Sequence, residues 1–219
     1  MVMLDNDSVL QPASGKSPTS LVLFLHGYGA NGKDLIGLAP ILAKSMPETV
    51  FLSPDAPSSC PGVPQGRQWF PLTFRDPQEI DRGVEAAAPK LTAMIDDAKS
   101  RYALPASKIA LVGFSQGTMM ALHVAARYPE KLACVIGFSG LLARPAMLAA
   151  EAVHKPPVLL IHGEADTVVP AACTPMAQNA LQQAGFEVDS LLVPGLGHGI
   201  EEQGLSAALQ FLQTKLVDE

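Results

Sequence analysis

The chain has 219 residues, 48 % of them hydrophobic and 16 % charged, a composition that supports a packed core and excludes a disordered chain. Fifteen Lys and Arg stand against twenty-one Asp and Glu, a net charge of −6; without clustered positive charge, nucleic acid is not an expected partner. No apolar run approaches the ~20 residues of a spanning helix, which argues against stable membrane insertion.

Met1 to Ser20 shows no positive segment leading into an apolar stretch, so no signal peptide is expected. Short apolar runs then alternate with amphipathic stretches. Ser20 to Leu25 is the first run, and Asp34 to Ala43 follows with Leu35, Leu38 and Leu42 at helical spacing. Thr49 to Leu52 is the second run. Ser53 to Pro77 breaks the rhythm with six prolines and the single Trp of the chain, and it reads as a loop packed over a site. Ile80 to Tyr102 is a long helical pattern, Ile109 to Phe114 a third run, and Gln116 to Arg127 a helix stopped by Pro129. Ala133 to Phe138, Val158 to Ile161 and Val188 to Val193 complete six runs, with helices expected over Ala171 to Ala184 and Ile200 to Val217. Runs apolar on both faces read as buried parallel strands. The class is α/β, with a mostly parallel sheet, helices on both faces, and one domain over 1–219. Cys60, Cys134 and Cys173 fit neither a disulfide framework nor a zinc site, which points to the cytoplasm.

The sharpest chemical signal is Gly113-Phe114-Ser115-Gln116-Gly117, lying between a strand and a helix. A nucleophilic Ser needs such a tight turn to lift its hydroxyl clear of the sheet, and small flanking residues let the turn close. A serine hydroxyl also needs a base. Of five histidines, His198, in the Gly-rich loop after the last strand, follows Ser115 in chain order and sits at a strand's carboxyl end, where reactive groups gather in open α/β sheets. Glu164 and Asp166, after the fifth strand, are both candidates for the acid that orients the imidazole. One oxyanion donor is expected from the backbone N–H of Gln116, the residue after the nucleophile. The second is expected from the loop His26 to Ala30, whose two glycines allow close approach.

Taken together, F-L-H-G-Y-G-A-N, G-F-S-Q-G, H-G-E-A-D-T-V-V-P and G-L-G-H-G, in this order, resemble the phospholipase/carboxylesterase family, which includes acyl-protein thioesterases and small bacterial carboxylesterases. The resemblance runs from Leu21 to Leu216. It implies an α/β-hydrolase fold with a minimal lid, nucleophile Ser115, acid Asp166 and base His198, and oxyanion donors at the backbone of Tyr28 and Gln116. It also implies that Trp69, Phe70 and Val168 border the acyl pocket. Tyr28 stands where the thioesterases often have Leu, and Thr118 where the family often has Gly; both bear on acyl-chain preference. The expected activity is hydrolysis of short- to medium-chain carboxylic esters through an acyl-enzyme, without metal or cofactor. The alternatives are an acyl-protein thioesterase or a lysophospholipase using the same triad. A non-catalytic small-ligand receptor would have been expected to lose a triad member or an elbow glycine. The family allows a homodimer.

Overall fold

A computed structural model describes residues 8–73 and 76–217; the first seven residues of the expected signal-free start, Phe74 and Arg75 of the proline-rich segment, and the last two residues of the expected domain lie outside them. Strand β1 (Val9–Leu10) is followed by β2 (Ser20–Leu25), α1 (Gly32–Ile36), α2 (Ala39–Ala43) and β3 (Thr49–Leu52). A small hairpin of β4 (Ser58–Ser59) and β5 (Arg67–Gln68) leads into the long helix α3 (Pro77–Tyr102). Then come β6 (Ile109–Phe114), α4 (Gln116–Arg127), β7 (Cys134–Phe138), α5 (Leu148–Glu151), β8 (Val158–Gly163), α6 (Cys173–Gln183), β9 (Val188–Val193) and α7 (Glu202–Leu212). The last helix runs on into a π-helical turn over Gln213–Val217.

Seven strands form one sheet in the order β1-β3-β2-β6-β7-β8-β9, parallel throughout except for β1, which runs antiparallel to β3. Alternation along β2 shows how the sheet is buried on both faces: Leu21, Leu23 and Leu25 join one core cluster, Val22 and Phe24 the other. Helices α3, α4 and α6 cover the first face through residues such as Leu91, Met120 and Leu181. Helices α1, α2 and α7 cover the second through Leu35, Leu42 and Leu212. The chain leaves β2 toward β3 on one side and resumes with β6 on the other, so the carboxyl ends of β2 and β6 flank the point where strand order reverses. That crevice is where open α/β sheets place their ligands.

Two expectations are corrected. The single helix over Asp34 to Ala43 is two short ones, because Pro40 has no N–H to continue the ladder and its ring opposes the carbonyl four residues back. The segment read as a loop over Ser53 to Pro77 contains a small hairpin: Cys60 N–H donates to Gly66 O, and Ser58–Ser59 pair with Arg67–Gln68.

Candidate active site

The centre of the site is the turn between β6 and α4. Ser115 adopts φ 54° and ψ −115°, a strained conformation for a residue with a Cβ. The neighbours enforce it. A Cβ on Gly113 would lie 2.5 Å from backbone atoms of Gly117, and one on Gly117 would collide with the Leu25 carbonyl. Ser115 N–H donates to Phe138 O at 2.9 Å, tying the turn to β7. The Ser115 carbonyl accepts from Thr118 N–H and Met119 N–H, the first bonds of α4. Ser115 is therefore presented at a helix N-terminus, where unpaired N–H groups favour negative charge. Helix α4 is buried from Gln116 to Ala126, so its position is fixed by packing on several sides.

The Asp and His come from neighbouring loops at the same rim. The Asp166 side chain is fully buried. Its Oδ1 accepts from Val168 N–H at 2.8 Å and Val169 N–H at 2.9 Å, and its Oδ2 faces His198 Nδ1 at 2.7 Å. Burial pushes the Asp166 carboxyl up, but the His198 bond and the two backbone donors outweigh it and hold the group below its ordinary value. With a carboxylate facing Nδ1, that nitrogen carries the proton and Nε2 is left as a base. The His198 loop lies against the turn after β8: Ala165 N–H donates to Leu196 O at 2.9 Å, and a Cβ on Gly163 would collide with the carbonyls of Leu196 and Gly197. The imidazole tilts against the Phe114 ring, centroids 4.9 Å apart, which sets it beside the residue before Ser115. Among the described residues no hydrogen bond joins Ser115 Oγ to His198; catalytic contacts of this kind often close only when substrate is bound. Glu164, the other acid weighed from sequence, is exposed.

The loop after β2 reaches the same point. A Cβ on Gly27 would lie 3.3 Å from Ser115 Cβ and 3.1 Å from the Phe114 ring, so only Gly allows this approach without displacement. His26 is buried; its Nδ1 lies 2.8 Å from Gly27 O, and its Nε2 accepts from Ala56 N–H at 2.9 Å. Burial lowers its pKa below the ordinary histidine value, which keeps Nε2 free to accept. Gly29 N–H donates to Arg67 O and Arg67 N–H to Ala30 O, so the loop carrying Tyr28 is paired with β5. Gln116 begins α4, so its N–H has no acceptor within the helix.

The residues assigned by resemblance to the acyl pocket separate. Trp69 and Phe70 are each 2 % exposed. They grip the site from beneath: Trp69 N–H donates to Gln116 Oε1, Gln116 Nε2 donates to Phe70 O, and the Trp69 indole donates to His26 O. Val168 is 55 % exposed at the rim. A groove of about 590 Å3 runs instead between the start of α3, the segment after β7 and α6, with Ile80, Leu141, Leu142, Cys173, Met176 and Ala177 among its walls. Burial, with the Asp166 carboxylate, pushes the Cys173 thiol up; the next residue, Thr174, meets His162, which touches Asp166, so this end of the groove lies near the acid. Arg144 clamps the groove's Leu141–Ala143 wall: its N–H donates to Asp81 and its guanidinium pairs with Glu85 and Glu151. The groove is faint in the sequence; its traces are Ser139-Gly140, the pair that leads into Leu141, and Cys173, beside a loop that could border the site.

A family model for phospholipase/carboxylesterase matches residues 6–216. The chain is 30 % identical over 210 residues to Esterase YpfH of Escherichia coli strain K12, covering 96 % of this chain and 89 % of the relative. It is 28 % identical over 220 residues to acyl-protein thioesterase 1 of Schizosaccharomyces pombe, covering 95 % and 96 %. The crystal structure of esterase PE8 superposes with a TM-score of 0.92 at 42 % identity, covering 95 % of this chain and 97 % of that one. Zea mays acyl-protein thioesterase 2, at 24 % identity and a TM-score of 0.76 over 95 % and 97 % of the two chains, shares the fold.

Proposed function

This chain belongs to the phospholipase/carboxylesterase family and is a hydrolase of esters or thioesters, and from that premise we propose that it is a carboxylesterase acting on short- to medium-chain esters through an acyl-enzyme on Ser115. The observation that carries the reading is the 2.7 Å Asp166–His198 bond, held on the loop that stacks His198 against Phe114, next to the strained Ser115. Ser115 Oγ attacks the ester carbonyl and passes its proton to His198 Nε2. The tetrahedral oxyanion is met by the N–H groups of Gln116 and Tyr28, each worth roughly 3 kcal/mol in the transition state. His198 returns the proton to the departing alcohol, and Asp166 stabilises the imidazolium while it lasts. Water, activated by the same imidazole, then releases the acid and restores the serine.

The apolar walls of the 590 Å3 groove support an acyl chain as its occupant. They suit a thioester or a lysophospholipid as well, so acyl-protein thioesterase activity is the second reading. Val168 remains the rim residue proposed to meet substrate, with Trp69 and Phe70 bracing the helix of the nucleophile from the other side through Gln116. Three cysteines, none of them joined in a disulfide among the described residues, support a reducing, cytoplasmic location.

The test is turnover of an aryl butyrate by wild type and Ser115→Ala, alongside a panel of oxygen and sulfur esters of graded length. Ser115→Ala should lose at least about a thousandfold in kcat. Near-wild-type turnover in that variant would remove the serine from the mechanism. Labelling of wild type by a fluorophosphonate separates the enzyme from a non-catalytic receptor, which stays unlabelled.

A further inference from the structure

Asp166 has a second imidazole against it. His162 Nε2 lies 3.1 Å from Asp166 Oδ2, the same oxygen that faces His198, and both side chains are buried, at 1 % and 0 % exposure. His162 comes from the end of β8, so its backbone is fixed by the sheet. Its Nε2 also lies 2.9 Å from Val169 O. Both neighbours of Nε2 are acceptors, so that nitrogen carries a proton. Nδ1 lies 2.8 Å from the buried Thr174 hydroxyl, which has a hydrogen to give. The ring is thus hydrogen-bonded at both nitrogens, with Nε2–H turned to the two acceptors.

That arrangement closes a small circuit. His162 holds the Val169 carbonyl, Val169 N–H donates to Asp166 Oδ1, and the positive N–H edge of the imidazole rests against Asp166 Oδ2. We propose that His162 is a positioning residue that acts through Asp166: it fixes the turn that orients the carboxylate and shares the oxygen that His198 uses. The inference rests on the reading of Ser115, His198 and Asp166 given above. A carboxylate touched by a second N–H edge is less basic, so it holds the His198 imidazolium less tightly and lets the proton pass to the leaving group. The titratable groups that face Asp166 are His162 from β8, His198 from the loop before α7 and Cys173 from the start of α6.

His162→Phe keeps the ring volume and removes the N–H; His162→Gln restores an amide N–H. Both are compared with wild type in kcat and KM for an aryl butyrate from about pH 5 to about pH 9, with circular dichroism as the check on folding. His162→Phe should lose about 10- to 100-fold in kcat with KM nearly unchanged. The acid limb of its kcat profile should move to higher pH, because the carboxylate then favours the imidazolium more strongly. His162→Gln should recover most of the loss. A folded His162→Phe with wild-type kcat and an unmoved acid limb would overturn the role. If that variant fails to fold, Thr174→Val, which takes away the hydroxyl that anchors the ring at Nδ1 and so loosens its hold on Asp166, carries the test: it should lower kcat and move the limb in the same direction, and wild-type behaviour would overturn the proposal. Turnover retained in Ser115→Ala would sink the triad reading itself; a dead Ser115→Ala beside an unaffected His162→Phe would sink only the positioning role.

Discussion

Ser115 and Ser139 both end buried strands, and both take positive φ, 54° and 48°. At Ser115 the strain has a use, since it exposes the nucleophile. At Ser139 the side chain is buried and its Oγ has no hydrogen-bond partner among the described residues. Glycine tolerates this backbone at no steric cost and carries no orphan hydroxyl. Ser139→Gly should therefore stabilise the fold by about 1 kcal/mol, read as a higher melting temperature. A lower one would mean that the hydroxyl holds something in place. At this scale Ser115, Asp166 and His198 were legible because each sits in a short string whose spacing carries its chemistry. His162 and Thr174 were not: they lie twelve residues apart and meet only because α6 packs beside β8. Trp69 and Phe70 were read as bordering the acyl pocket, and the structure packs them against Gln116 and His26. An aromatic pair in a loop does not show from sequence whether it faces the substrate or the core.

Five strands were legible because their runs are apolar on both faces, β9 through its Val188 and Leu191–Val193 despite exposed Asp189 and Ser190, and the longer helices because their stripes repeat at three and four. The two-residue strands β1, β4 and β5 are too short to show any period. Helix α3 begins at Pro77, three residues before its apolar stripe, because Asp76 caps it by accepting from Glu79 N–H and Pro suits the first turn. The same helix contains Pro89, on its exposed side. A proline there leaves the Glu85 carbonyl without its helical donor. Pro89→Ala should raise stability by about 1–3 kcal/mol in chemical denaturation. No gain would mean that water satisfies the Glu85 carbonyl at no cost.

For the molecule as a whole, acid sensitivity follows from buried histidines. Burial, with Arg127 and Arg144 nearby, lowers the His123 pKa to about 4, and burial lowers that of His26 as well. Between an unfolded value near 6.5 and these lower ones the unfolded chain binds more protons, so stability falls as pH drops through that window. Asp166 acts further down: its depressed carboxyl stabilises the fold fully above the unfolded value near 4 and is lost below it. The melting temperature should decline from about pH 6.5 toward pH 4, and His123→Leu should flatten that decline. An unchanged slope in the variant would place the acid sensitivity elsewhere.

The Gln116 side chain spans Trp69 and Phe70, so the proline-rich stretch is fastened at its middle to the first residue of α4. A flap hinged there could not swing away without tearing the bonds that steady the nucleophile's own helix. The described part of the stretch, residues 53–73, thus serves as a buttress for Ser115, and slackening it would slacken the turn that holds the hydroxyl out.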